Sequence, residues 1–371
     1  MAFESKPVLV FWETTKACPL RCIHCRADAV TSPAEGQLDT ESGIALIDQV
    51  AAFGSPPPLL VFTGGDPLMR EDLSELIAYA SSKGVKSAVA PAVSQNLSHA
   101  AMDELKRLGV SSISISLDSS NAELHDSIRR VNGTYARTIE AIDYALQIGL
   151  GVQVNTAVMK QNLIELPAIF QLIRSLGVRV WEVFFLIATG RGSNAYDMSP
   201  EDYESACNLL YDASQYGVIV RTVEAPFIRR VAMQREEEGL YWTNERYMLM
   251  RSDLMLRCGA PTGRSSIMPR GTLDGDGIIF VAHDGVITPG GFLPVALGSI
   301  RDSSLASVYK GDRRLFDIRN RKLSGPCGRC SYRDICGGSR ARAFSYGGDM
   351  LGSDPACISA IEASRFAEEG P

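Results

Sequence analysis

Along the first 220 or so residues, short apolar runs rich in β-branched and aromatic side chains alternate with segments of helical periodicity. The runs at 8–12, 59–62, 87–90, 113–117, 152–158, 180–186 and 218–222 read as buried parallel strands, because a strand covered on both faces is apolar at every position. Between them Ile44, Ile47, Val50 and Ala51 share one helical face, and Leu73, Leu76, Ile77 and Ala80 another. Asp39 and Ser98 stand where helices would start, and Gly54, Gly84, Gly109 and Gly149 where they would stop. Strand and helix repeat about six times, and right-handed crossovers then produce an α/β fold, either barrel-like or an open doubly wound sheet. Six units fall short of a complete eight-fold barrel. Periodicity alone does not choose between a partial barrel and an open sheet.

The texture changes near Pro226. Residues 227–257 read as a charged, mostly helical connection, and GDGIIFVAHDGVITPGGFLP as a β-hairpin turning at Asp284-Gly285. A glycine-rich tail dense in cysteine follows. The expected division is a first domain over 1–225, a helical linker over 226–257, and a small C-terminal α+β domain over 258–371.

The chain carries a formal net charge of −6 and a pI near 5.4, which argues against nucleic acid or an anionic membrane surface as a partner. The opening MAFESKPVLVFWETT lacks the pattern of an export signal, and no apolar stretch reaches the length of a membrane span. A cytoplasmic location is expected. The chain's 9 cysteines should there be reduced thiols, suited to metal or redox chemistry rather than disulfides.

Cys18, Cys22 and Cys25 follow the first strand directly, in KACPLRCIHCRADA. The carboxyl end of a parallel strand faces the region where such folds place their sites. Thiolates are the usual ligands of iron–sulfur clusters, and three of them on a four-iron cubane leave one iron free to bind something else. A zinc ion with an outside ligand is the alternative, although His24, lying between two of the cysteines, is awkwardly placed to complete it. In the tail, Cys327, Cys330, Cys336 and Cys357 supply four thiols, enough for one further cubane or for a tetrahedral zinc site.

The CxxxCxxC motif after the first strand of a six-fold β/α domain resembles the signature of the radical S-adenosylmethionine enzymes. FTGGDP at 62–67 is similar to that family's Gly-Gly-Glu-Pro motif, with Asp66 in place of glutamate. The resemblance implies a partial (β/α)6 barrel resembling an incomplete TIM barrel. It also implies a [4Fe–4S] cluster on Cys18, Cys22 and Cys25, and S-adenosylmethionine as cofactor. By the same resemblance, Gly64, Gly65 and Asp66 would meet the cofactor's amino group and Ser116 and Asp118, in SISISLDSS, its ribose and methionine parts. Asn155 would face it from the fifth strand. Arg129, in HDSIRRVNGT, would pair with its carboxylate, and His24 would lie against the adenine.

The tail resembles the SPASM and twitch domains, which carry auxiliary clusters. The resemblance implies one auxiliary [4Fe–4S] cluster on Cys327, Cys330, Cys336 and Cys357. Ser339 and Gly290 stand where the longer pattern has cysteines, so no second auxiliary cluster is expected. Cys258 and Cys207 read as packed thiols.

Such enzymes cleave S-adenosylmethionine to a 5′-deoxyadenosyl radical, which abstracts hydrogen from a substrate. FWETTKACPLRCIHCRADA and CGGSRARAF together look most like the branch that contains the heme synthase of the siroheme-derived pathway. This resemblance implies oxidative decarboxylation of a tetrapyrrole-like carboxylate. Arg340 and Arg342 could grip carboxylates as bidentate partners, neutralise the anionic cluster or lie in solvent. Modification of a ribosomal peptide, and a non-catalytic electron carrier or sensor, are the competing readings. A flavodoxin or ferredoxin is the expected electron donor. No proton donor or other catalytic side chain is assigned.

Overall fold

The computed structural model describes residues 3–361. They divide into two compact units. Unit 1 comprises the chain up to Ser116, His125–Gln153 and Thr272–Arg319; unit 2 comprises Leu117–Leu124, Val154–Gly271 and the chain from Asn320 onward.

In unit 1 the parallel strands β1 (Leu9–Thr15), β2 (Leu59–Gly64), β3 (Ser87–Val89) and β4 (Ser112–Ser116) lie side by side in chain order. Leu9 faces Leu59, Leu60 faces Ser87 and Ala88 faces Ser112. Helices Thr40–Ala51, Leu73–Ser82 and His99–Arg107 connect them. The expected caps form: the Asp39 carboxylate accepts from Ser42 N at 2.9 Å and the Ser98 hydroxyl from Ala101 N at 3.2 Å. Gly84 and Gly109 follow their helices at φ 71° and 84°, in the left-handed region where a side chain is disfavoured. Trp12, Phe62, Ile113 and Ile115 are fully buried, while Ser112, Ser114 and Ser116 alternate on the other, half-buried face of β4.

Unit 2 holds most of β5 (Gly151–Val158), together with β6 (Val180–Phe185) and β7 (Ile219–Val223), which pair in parallel from Val180 opposite Ile219 to Phe184 opposite Val223. Helix Pro200–Ala213 is buried at every position from Asp202 to Ala213, Cys207 included. A buried helix carrying this many acidic residues needs cationic partners. They come from the segment expected to be a linker. Arg230 pairs with Glu204, Arg235 reaches Asp212 at 2.6 Å, and Arg246 meets Asp202. Residues 226–257 are helical as expected, over Ile228–Glu238 and Glu245–Cys258, but they are packed parts of unit 2.

The hairpin forms as read, with β9 (Gly277–Val281) and β10 (Val286–Thr288) antiparallel and Gly285 at φ 92°. Two short strands, β8 (Leu273–Asp274) and β11 (Gly298–Ser299), flank it on β9 and β10 respectively. The hairpin departs from the expected C-terminal domain by adding to unit 1, where β9 pairs in parallel with β1, from Leu9 opposite Ile278 to Trp12 opposite Val281. GIIFV is apolar on both faces and an isolated two-stranded ribbon cannot bury it, so docking on the free edge of β1 is the stable solution. The expected 258–371 segment is therefore shared between the units, and its last ten residues lie outside those described. Among the described residues no helix is long and apolar enough to cross a membrane.

Candidate metal centres

In unit 1 the chain leaves β1 at Thr15 and enters a loop pinned by Cys18 N to Val30 O (2.8 Å) and Val30 N to Lys16 O (3.0 Å). Cys18, Leu20 and Cys22 are buried in one small apolar cluster, with Cys25, Ala29, Ala92 and Val131 packed against it. Leu20 N donates to the Cys18 sulfur at 3.4 Å. Burial, with Cys22, Asp66 and Cys25 adding negative charge nearby, pushes the Cys18 thiol up to about 12. A metal that takes this thiol as thiolate therefore displaces a firmly held proton. Among the described residues no three His, Cys, Asp or Glu side chains converge as the ligands of a single ion do. A cubane would place each thiolate on its own iron and asks for no such convergence, and three grouped thiols outside any disulfide suit it.

The GGDP turn lies directly against the start of this loop. Gly65 N donates to Thr15 O at 2.7 Å and Asp66 N to Ala17 O at 2.6 Å. A Cβ on Gly65 would lie 2.2 Å from Ala17 O, and one on Gly64 (φ 136°) 2.3 Å from Thr15 O. Only glycine permits this approach. The Asp66 side chain turns inward, where its two oxygens accept from Leu68 N (3.2 Å), Ala92 N (3.3 Å), Ser94 Oγ (3.0 Å) and Asn96 Nδ2 (3.3 Å). Burial raises its pKa despite these donors. The Asp66 carboxylate thus braces the turn, and Ser94 and Asn96, which sequence reasoning missed, are its partners.

Arg129 belongs to the same unit. It is 8% exposed, and Nη1 lies 3.6 Å from the Cys22 sulfur. Its guanidinium thus stands beside a candidate metal ligand. Asp118, in unit 2, is fully buried and accepts from Ala157 N at 2.9 Å, while its carbonyl accepts from Asn162 Nδ2 at 2.7 Å. Ser116 ends β4 in unit 1 and Asn155 lies on β5 in unit 2, both half-buried; His24 is half-buried between Ile23 and Cys25. Within unit 1 the structure gathers Cys18, Cys22, Cys25, Gly64, Gly65, Asp66 and Arg129.

A second missed group supports the loop from below. Glu13, 5% exposed on β1, accepts from Arg26 Nη2 at 3.1 Å and pairs with His283 Nδ1 at 3.1 Å. The Arg26 guanidinium also sits 4.7 Å over the Phe280 ring. The signal in the sequence was a lone carboxylate inside an apolar strand, which demands a partner.

In unit 2, Cys327, Cys330, Cys336 and Cys357 all line one cavity of about 370 Å³. Backbone N–H groups point at three of the sulfurs, from Tyr332 to Cys330, Gly338 to Cys336 and Asp354 to Cys327, each at 3.4 Å. Burial pushes the Cys336 thiol up to about 12 and Cys357 to about 11. Arg230 Nε and Arg340 Nη2 are buried without a hydrogen-bond partner among the described residues. Grouped thiols, N–H donors to sulfur and unanswered cationic donors together fit an anionic cluster.

Arg340 and Arg342 do not face outward to grip a substrate. Arg342 is 1% exposed; it donates to Glu224 O at 2.8 Å, pairs with Asp354 at 3.3 Å and sits 4.6 Å over the Tyr203 ring. Arg340 donates to the carbonyls of Gly338, Met350 and Gly352. Ser339 caps helix Arg340–Gly347, accepting from Arg342 N at 2.9 Å, and donates to Glu224 at 2.5 Å. At Gly290, in unit 1, a Cβ would fall 1.8 Å from Asp274 Oδ1, so no cysteine fits this backbone. Cys258 is half-buried at the end of its helix, where its carbonyl accepts from Arg174.

Residues 12–173 match the model of the Radical SAM superfamily. Over 94% of its length the chain is 35% identical to a protein named AdoMet-dependent heme synthase from Oleidesulfovibrio alaskensis, spanning 86% of it. It is 33% identical, over 96% of this chain and 98% of the relative, to the protein of the same name from Methanosarcina barkeri. Among solved structures it is similar to native anSMEcpe with bound AdoMet, at a TM-score of 0.69 and 15% identity, covering 97% of this chain and 96% of that one. At that identity the likeness establishes the mixed α/β fold with its parallel strands.

Proposed function

The chain belongs to the radical SAM superfamily, and on that premise we propose that it oxidatively decarboxylates propionate side chains of an iron-bound tetrapyrrole. Membership brings a [4Fe–4S] cluster and S-adenosylmethionine. When bound, the two would supply an electron to the sulfonium and, through its reductive cleavage to methionine, a 5′-deoxyadenosyl radical able to take a hydrogen atom from the substrate. The observation that carries the substrate reading is the likeness above 30% identity, along nearly the whole of both chains, to two proteins named heme synthase.

Cys18, Cys22 and Cys25 would hold the cluster as thiolates, one ligand short of its four irons, which would leave a place for the cofactor. The Gly64-Gly65 turn offers backbone to the cofactor's ammonium, and Asp66 holds that turn rigid from behind through residues 92–96. Arg129 compensates the negative charge gathered at Cys22. Ser116 and His24, which belong to the same unit as the three cysteines, complete the cofactor's surroundings in this reading.

The tail is a SPASM/twitch-like segment in which Cys327, Cys330, Cys336 and Cys357 hold an auxiliary [4Fe–4S] cluster. Hydrogen abstraction from the propionate carbon next to the ring would leave a radical there, one carbon removed from the carbon that bears the carboxylate. Loss of carbon dioxide then forms a vinyl group and releases one electron, for which the auxiliary site is the acceptor. A flavodoxin or ferredoxin in the cytoplasm would reduce the first cluster.

The test is anaerobic incubation with iron-coproporphyrin, S-adenosylmethionine and dithionite. Carbon dioxide and a vinyl product, both lost with Cys22→Ala, are expected. Release of 5′-deoxyadenosine without carbon dioxide would refute the substrate and favour a peptide. No cofactor cleavage at full iron loading would return the chain to the electron carriers.

A further inference from the structure

We propose that two buried guanidinium groups, Arg230 and Arg340, raise the reduction potential of the cluster held by Cys327, Cys330, Cys336 and Cys357, fitting it to accept an electron. The inference rests on the reading that these thiols carry a cluster.

Arg230 and Arg340 are 2% and 4% exposed. Each is anchored on one edge and unanswered on another. Arg230 gives Nη1 to Glu204 at 3.1 Å and to Gln234 at 2.6 Å, and Nη2 to Glu204 at 2.5 Å. Its Nε has no partner among the described residues, and its side chain lines the cavity with all four cysteines. Arg340 gives Nε to Gly338 O at 3.2 Å and Nη1 to Gly352 O at 2.6 Å, leaving Nη2 without one. That nitrogen lies 2.7 Å, and the Cys327 sulfur 3.3 Å, from the point where a Cβ on Gly338 would stand. Glycine at 338, at φ 62°, keeps the space between cation and sulfur open.

A buried charged donor without a partner is costly, and folded proteins rarely keep one. One in the cavity with the four thiols and one near the sulfur of Cys327 point to a missing anion. A cubane on four thiolates is already negative and gains another negative charge on reduction. A nearby cation therefore stabilises the reduced state more, and burial keeps that attraction unscreened. Arg329 and Arg333 also line the cavity, but they are exposed and water screens them. Glu204 opposes Arg230 from its far edge, through Nη1 and Nη2.

The test isolates the auxiliary cluster in the full chain carrying Cys18→Ala, Cys22→Ala and Cys25→Ala, reconstituted anaerobically with iron and sulfide. Its reduction is followed by electron paramagnetic resonance against solution potential. Arg340→Gln strands no carboxylate, since Arg340 bonds only to carbonyls. At the potential that half-reduces the parent, this variant should show at least a tenfold lower ratio of reduced to oxidised cluster, a drop of about 59 mV for one electron. Arg340→Lys should restore most of it. Arg230→Gln with Glu204→Gln should shift the potential the same way by less. Unchanged potentials at full iron content would overturn the inference and leave the cluster standing. A parent chain that binds no cluster would overturn both.

Discussion

A guanidinium nitrogen of Arg129 lies 3.6 Å from the sulfur of Cys22, joining the helix Ala122–Arg129 to the cysteine loop of unit 1. A charged donor to a thiolate is worth about 1.5–3 kcal/mol. Arg129→Gln keeps a donor and removes the charge. Release of 5′-deoxyadenosine under dithionite should slow roughly tenfold, with iron content close to native. A native rate would show that the arginine does not act on the cluster.

Gly65 tolerates no side chain, because a Cβ would sit 2.2 Å from Ala17 O. Gly65→Ala must push the turn off the cysteine loop, breaking the bonds to Thr15 O and Ala17 O. The expected cost is about 2–4 kcal/mol, read as a lower denaturant midpoint, together with loss of S-adenosylmethionine binding. Retained cofactor affinity would mean the turn does not shape the pocket.

Glu13 links stability to pH. Burial pushes its carboxyl up, but the hydrogen bond from His283 and the charge of Arg26 outweigh it and hold the group below its ordinary 4.5. A depressed carboxylate stabilises the fold fully above its unfolded value and loses that contribution as pH falls through the folded one. Glu13→Gln should therefore cost about 3 kcal/mol near neutrality, and the gap to the native chain should close below pH 4.5. Urea titrations across that window measure it; a gap independent of pH would contradict the ion-pair account.

Gly338→Ala tests the second thiol site. A methyl there meets Arg340 at 2.7 Å and Cys327 at 3.3 Å, on a backbone at φ 62°. Iron should fall from about eight to about four per chain, while the first cluster's signal persists. Full iron loading would mean that the cavity is not where the iron sits.

Ser339 occupies a position where the longer cysteine pattern would place a ligand, and here it caps a helix. Ser339→Ala should cost about 1–2 kcal/mol through the lost cap and the bond to Glu224. Iron content should not change. A loss of iron would make Ser339 part of the cluster site after all.

Much of the fold could be read along the chain because its signals are local. A buried strand, a helix cap at Asp39 or Ser98 and a turn at Asp284-Gly285 are each written within a few residues. The cysteines could be read for the same reason, since their spacing and their place after a strand are short-range features. Asp66, Asp118 and Arg129 stand out in short motifs, yet the partners of their side chains lie elsewhere in the chain. The linker was misjudged because only the buried acids of Pro200–Ala213 reveal why its arginines must pack inward.

By itself the sequence determined the alternation of strands and helices, the two sets of thiols, and the glycine turn beside the first. Tertiary structure alone decided how the buried polar groups are satisfied. Glu13 meets His283 across 270 residues of chain, and Ser339 meets Glu224 across 115. A buried charge must find a partner wherever the fold supplies one, and no local pattern names it. The edge of β1 obeyed the same logic when it took a strand from the far end of the chain, and so did the cavity that placed Arg230 with four cysteines and the packing that set Arg340 near Cys327.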